Sequence, residues 1–123
     1  MMYKVILVLT VFAFSLVGKA QTADPLKGKW INEEKNRILE FVKTDSGYEA
    51  VIVKAEEQSL IGKKQITGLR LEETDSYKDG VLYIFQKNRT ASCSVKILDS
   101  DAIELKATIG IFSRKQKWTR YNG

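Results

Sequence analysis

The sequence predicts an all-β domain folded as a small, eight-stranded, up-and-down antiparallel barrel. Three observations lead there. Eight short β-like runs follow one another through tight polar turns, and the chain has one proline, Pro25. Within the runs apolar and polar residues alternate, as in Ile103, Leu105 and Ala107 against Glu104, Lys106 and Thr108. That is the period of a strand with one buried face. The series is also bracketed, by Gly28-Lys29-Trp30 at its start and Trp118-Thr119-Arg120 at its end. An indole on the first strand fills one end of a closed barrel, and a guanidinium on the last strand stacks on it. Trp30, Trp118 and Arg120 are therefore assigned a structural role. Closing the sheet removes its exposed edges. A two-sheet β-sandwich is the competing arrangement.

The elements follow in order. The first strand covers 29–32 and is followed by the polar turn Asn32-Glu33-Glu34-Lys35-Asn36. The second covers 37–43. Asp45-Ser46-Gly47 is a hairpin signal that leads into the third, at 48–55. Residues 54–64 carry Glu56, Glu57, Gln58 and Leu60, which suits a short helical turn across the barrel mouth or a long hairpin loop. The fourth strand is 64–72. Lys78-Asp79-Gly80 enters the fifth, at 80–87, whose residues 81–85 are apolar on both faces. Lys87-Asn88-Arg89 precedes the sixth, at 91–98. Asp99-Ser100-Asp101 precedes the seventh, at 102–108. The eighth is 115–121. Cys93, Val95 and Ile97 share one face of the sixth strand, so Cys93 reads as a small buried apolar residue.

Residues 1–20 read as a cleaved secretory leader. Lys4 supplies the positive start, 5–17 is apolar, and Gly18-Lys19-Ala20 is a small-x-small cleavage site. The apolar run is shorter than the ~20 residues a membrane span needs. The expectation is a periplasmic or secreted protein, mature from Gln21, with 21–123 as one domain and no transmembrane segment. The net charge of +5 drops by two when Lys4 and Lys19 leave. That is too small to argue for nucleic acid. One cysteine forbids an internal disulfide.

The chain has no histidine. Ser-His-Asp and Cys-His catalysis are thereby excluded, as are the common zinc and copper ligand sets. There is no glycine-rich phosphate loop. No cofactor or metal is expected, and the protein does not read as an enzyme. Adjacent carboxylates such as Glu33-Glu34 point to opposite faces of a strand and make no catalytic dyad. Glu40 lies at period two with Ile38 and Val42. It is either a polar hook inside the barrel, with Arg70 or Arg114 as partner, or a solvent-facing residue with Leu39 and Phe41 inward. Tyr48, Phe41, Tyr83, Phe85 and Phe112 either line a pocket or simply fill the barrel.

The order and spacing of several short motifs resemble a known family. These are Gly28-Lys29-Trp30, Ile61-Gly62, Gly68-Leu69, Tyr77-Lys78-Asp79-Gly80, Cys93, Ile109-Gly110 and Arg114-x-Gln116-x-Trp118. From Gly28 to Arg120 the chain is similar to the secreted bacterial lipocalin-like (calycin-type) domains of DUF2147. It departs from them at Asn88-Arg89-Thr90-Ala91, where the family carries Gly-Lys-Thr-Tyr, and at Ser113, where glycine is usual. The resemblance implies fold and compartment, not chemistry.

An eight-stranded barrel has room for packed side chains or one small ligand. The expected function is binding of a small, mostly apolar molecule. Tyr48, Ile52, Tyr83 and Phe85 are the candidate lining, with Glu40 or Arg70 as the polar contact. The alternative is a solid barrel whose loops or 81–85 strand bind another protein of the cell envelope.

Overall fold

The computed structural model describes residues 24–123; the expected leader at 1–20 lies outside the described residues. Eight strands form a closed barrel in chain order: β1 (Gly28–Asn32), β2 (Ile38–Lys43), β3 (Tyr48–Lys54), β4 (Lys64–Glu73), β5 (Ser76–Ile84), β6 (Arg89–Asp99), β7 (Ala102–Ile109) and β8 (Phe112–Arg120). Every neighbour pair is antiparallel, and β8 closes on β1 through Trp30↔Arg120 and Asn32↔Trp118. The crossing between β3 and β4 contains one 3-10 turn, Gln58–Leu60, which buries Leu60. No helix among the described residues is long and apolar enough to cross a membrane.

Cross-strand partners share a face, so the register identifies the lumen side. Trp30 pairs with Leu39, Phe41 with Ala50, Ile66 with Leu82, Cys93 with Ala107 and Leu105 with Gln116. Trp30, Leu39, Phe41, Ala50, Ile52, Ile66, Leu69, Tyr77, Cys93, Val95, Ile103, Leu105 and Trp118 form one buried cluster. Burial of this apolar surface is what holds a domain that has no disulfide.

Several expected boundaries move. β5 begins at Ser76, not at Gly80, because Asp79 (φ +64) is absorbed as an irregularity between Tyr77 and Gly80 instead of turning the chain. Its far end also stops early, since Phe85–Lys87 is a 3-10 turn that Asn88 ends in the left-handed region. β8 begins at Phe112, three residues before the expected start. Residues 81–85 are not covered on both faces. A barrel has one lumen, and Val81 on the outside is 36 % exposed.

One end is plugged. Trp30 is fully buried and its Nε1–H donates to the Leu26 carbonyl at 3.0 Å. The Arg120 guanidinium lies 4.1 Å from the Trp30 ring centroid. Its nitrogens donate to the carbonyls of Lys27 (2.9 Å), Pro25 (3.0 Å) and Ser100 (3.3 Å). Gly28 makes this approach possible. Its φ is +116, and a Cβ there would sit 2.8 Å from Arg120 Nη1. Beside the plug Tyr48 and Tyr77 meet edge to face, with centroids 5.1 Å apart. The Tyr48 hydroxyl donates to Asp24 Oδ2 at 3.0 Å.

The burial of Cys93 has a chemical consequence. Loss of hydration pushes its thiol up to about 12. An unfolded thiol ionises near ~8.5, so the stabilisation is whole below that pH and drains as pH rises toward the folded value. Tyr48 is raised by burial and then by Asp24, and Tyr77 by burial and then by Tyr48; both act in the same direction above about pH 10. The thermal midpoint is therefore expected to hold up to about pH 9 and fall above it, with a shallower fall for Cys93→Ala. In the native state at neutral pH a thiol reagent should leave Cys93 untouched. Rapid labelling without denaturant would contradict this assignment.

Candidate functional site at the open mouth

The end opposite Trp30 is the open one. It carries the turns between β1 and β2, β3 and β4, β5 and β6, and β7 and β8. Two hollows enter the barrel here and share Leu82, Ile84, Gln86, Leu105 and Gln116 as wall. The larger has a volume of about 690 Å3 and is lined further by Ala91, Ala107, Ile109 and Phe112, with Lys87, Arg89, Ser113 and Arg114 around it. The smaller, about 240 Å3, reaches Leu39 and Trp118 and is bordered by Asn32, Arg37, Glu56 and Gln65.

Local sequence explains why the mouth stays open. The lumen positions of the upper strands are held by Ala91 and Ala107, too small to meet across a barrel. The lumen positions lower down hold Trp30, Phe41, Tyr77 and Trp118. At the rim, Arg89 pairs with Ile84 and Arg114 with Ala107. Both arginines therefore occupy lumen-face positions where the wall ends. Neither they nor Lys87 belong to an ion pair among the described residues. The larger hollow contains no carboxylate in its lining.

The smaller hollow is more polar and better tied down. Asn32 staples the β1–β2 turn: its Oδ1 accepts from the backbone N–H groups of Asn36 and Arg37, both at 3.0 Å. The Arg37 side chain is 14 % exposed. It donates to Gln65 Oε1 and, at 3.3 Å, to Glu56 Oε1. Gln65 in turn donates to the Tyr83 carbonyl at 2.7 Å. The Glu56 backbone N–H first, and Arg37 second, hold the Glu56 carboxyl below its ordinary range. The Trp118 indole N–H donates to Gln116 Oε1 at 3.2 Å. Trp118 is thus the floor of the mouth and not part of the plug.

The residues expected to bind ligand do not come together. Glu40 pairs with Lys29 and Val51 between inward Leu39 and Phe41, so it stands on the outer face, and the polar-hook reading is corrected. Arg70 is also outside, exposed and ion-paired with Asp79, whose carboxyl the guanidinium holds low. It cannot reach the lumen. Tyr48 belongs to the plugged end, and Ile52 is fully buried packing. Tyr83 borders the smaller hollow, but its hydroxyl lies 3.4 Å from Thr67 Oγ1, beside outward Val81. Phe85 sits in the 3-10 turn and stacks on Tyr83, with centroids 6.4 Å apart.

The lining that sequence reasoning missed is Leu82, Ile84, Arg89, Leu105, Ala107 and Gln116; Arg114, offered as a partner for Glu40 inside the barrel, lines the hollow without it. A signal was present. Arg114, Gln116 and Trp118 keep period two on the last strand, as Leu105 and Ala107 do on the strand before it.

A closed eight-stranded antiparallel barrel with one plugged end and one open, partly apolar mouth defines a lipocalin-like fold. The fold is similar to that of HP1028 from Helicobacter pylori, described as belonging to the lipocalin family, with a TM-score of 0.66 and 16 % identity over 79 % of this chain and 83 % of that one. A family model described as an uncharacterized protein conserved in bacteria (DUF2147) matches residues 28–120, and the chain belongs to that family. No curated protein matches it at the sequence level.

Proposed function

We propose that the protein is exported and that its barrel mouth binds a small, mostly apolar molecule without transforming it. The larger hollow carries this reading, with an apolar wall of Leu82, Ile84, Leu105, Ala107 and Ile109 and room for a ligand of modest size. Because the charged residues of that lining, Lys87, Arg89 and Arg114, are all cationic, the polar end of the ligand is neutral or anionic. The apolar stretch and small-x-small site within residues 1–20 support export. The open lumen favours a carrier over a solid interaction barrel.

Native mass spectrometry tests this on protein purified from its own compartment without detergent. The expected result is an adduct that organic solvent removes. Ala107→Trp, which fills the hollow, should lower adduct occupancy by at least about tenfold while the fold survives, as judged by circular dichroism. A bare mass at every charge state, or an adduct indifferent to Ala107→Trp, would overturn the reading.

A further inference from the structure

The two ends of the barrel differ in charge, and the mouth end carries an exposed apolar tip. The three hairpin turns at the plugged end contain Asp45, then Glu73 and Asp75, then Asp99 and Asp101, with no lysine or arginine among residues 44–47, 73–76 and 99–102. At the mouth, the β5–β6 and β7–β8 hairpins hold Lys87, Arg89, Arg114 and Lys115, with no acid in 85–89 or 109–115, while the β1–β2 and β3–β4 turns across the same mouth mix Glu33, Glu34, Glu56 and Glu57 with Lys35, Arg37, Lys63 and Lys64. These two hairpins flank the larger hollow, because β6 and β7 are neighbours in the barrel.

The tip of the β7–β8 hairpin is Ile109-Gly110-Ile111-Phe112. Ile111 is 91 % exposed and Phe112 is 76 % exposed. Turn positions in a soluble protein are normally polar, so two large apolar side chains in succession at a hairpin tip call for a partner. Ile61, also at the mouth end, is 42 % exposed. Two exposed apolar residues also lie toward the plugged end, Leu71 (56 %) and Leu98 (46 %), but Glu72, Glu73 and Asp99 flank them.

We infer that this protein docks mouth-down on an anionic lipid bilayer, with Ile111 and Phe112 inserted at the acyl boundary and Lys87, Arg89, Arg114 and Lys115 against the headgroups. An apolar tip inside a basic collar satisfies both requirements of an interfacial anchor: apolar area to bury and attraction to acidic lipid. The acidic turns at the other end are repelled by the same surface, so the charge separation orients the barrel before contact. The hollow then faces the membrane, the phase in which a mostly apolar molecule is dissolved. The docking itself does not depend on the hollow being occupied.

Vesicle co-sedimentation of the mature protein tests it, with phosphatidylcholine vesicles prepared with and without phosphatidylglycerol. Binding should require phosphatidylglycerol and fade at ~0.5 M salt, where the Debye length shrinks to a few Å. Ile111→Ser should weaken binding by about tenfold, the effect of withdrawing one large apolar side chain from lipid. Lys115→Gln should weaken it about fivefold. Neither residue lines either hollow, so the adduct seen by mass spectrometry should be unaffected, which separates this inference from the ligand reading. Leu71→Ser at the opposite end should change nothing. Protein left in the supernatant with anionic vesicles at low salt would overturn the inference. So would equal weakening by Leu71→Ser and Ile111→Ser. A dimer that Ile111→Ser dissolves, with no vesicle binding, would assign the tip to a second copy of the chain instead.

Discussion

Trp30→Ala is expected to lower the unfolding free energy by about 3–5 kcal/mol, the range for emptying a fully buried large aromatic site. Trp30 is the right residue for so large an effect because it is 0 % exposed and contacts come from three directions. Its indole N–H is satisfied by the Leu26 carbonyl, Arg120 covers its face, and its β1 position places it against Leu39 of β2. Alanine removes the ring but leaves Arg120 held by the carbonyls of Lys27, Pro25 and Ser100. The end of the barrel therefore cannot simply collapse inward, and a cavity remains. A domain of this size has ~5–15 kcal/mol in all. The variant should lie near the edge of folding, with a thermal midpoint lower by roughly 15–30 °C. Urea unfolding followed by the remaining Trp118 fluorescence reads the change. A loss below ~1 kcal/mol would mean that the plug does not hold this barrel together.

Gly47→Ala should cost about 2 kcal/mol, although it adds one methyl group on the surface of a turn. A Cβ at Gly47 would stand 2.3 Å from the Leu69 carbonyl oxygen, and backbone cannot step aside as a flexible side chain can. The turn is already closed on its other side. Thr44 N–H donates to the Gly47 carbonyl at 2.6 Å, and the Thr44 hydroxyl donates to the same carbonyl at 3.1 Å. The methyl must push β4 away from β3 at the Tyr48↔Leu69 pair. That pair positions Tyr48 against Tyr77 and Asp24, so the strain spreads into the plugged end. The usual gain from replacing glycine, ~0.4–1 kcal/mol through the unfolded chain, works in the opposite direction and is smaller. A thermal midpoint lower by roughly 10 °C is expected. A midpoint equal to or above that of the parent would show that the turn can move away from Leu69.

Much of the fold was legible because period-two alternation is a local property. β7 alternates as Ile103, Leu105 and Ala107 against polar neighbours, and the lumen face has those residues. Cys93 was readable as buried from Val95 and Ile97 beside it. β2 was not legible, because Ile38, Leu39, Phe41 and Val42 are apolar on both sides of Glu40. Its inward face follows from pairing Leu39 with Trp30 and Phe41 with Ala50, contacts remote in sequence. Asp79-Gly80 looks like a hairpin signal. Opposite β6 the same residues become an irregularity within a continuous strand, and the turn falls at 74–75 instead.

The candidate site was the least legible part. Aromatic content pointed to Tyr48, Tyr83 and Phe85. Of the aromatic candidates Phe112 lines the larger hollow and Tyr83 borders the smaller one. The space itself opens at Ala91 and Ala107, because a cavity is made by what fails to reach the centre. Arg89 and Arg114 are ordinary solvated cations when read along their own strands. They become a pair of rim charges because β6 and β8 both end their lumen rows at the mouth, on either side of β7.

The amino-acid sequence by itself determined that eight antiparallel strands follow in series, that Trp30 and Arg120 stand at the two edges that must meet, and that histidine chemistry is absent. Each of those is written in local period, in position along the chain or in composition. The tertiary structure alone decided which end each turn occupies, which face of β2 is buried, and where the lumen stays empty. Those outcomes depend on strand register and on the closure of β8 onto β1. Both are set by the sum of many distant pairings, so no short stretch of the chain contains them.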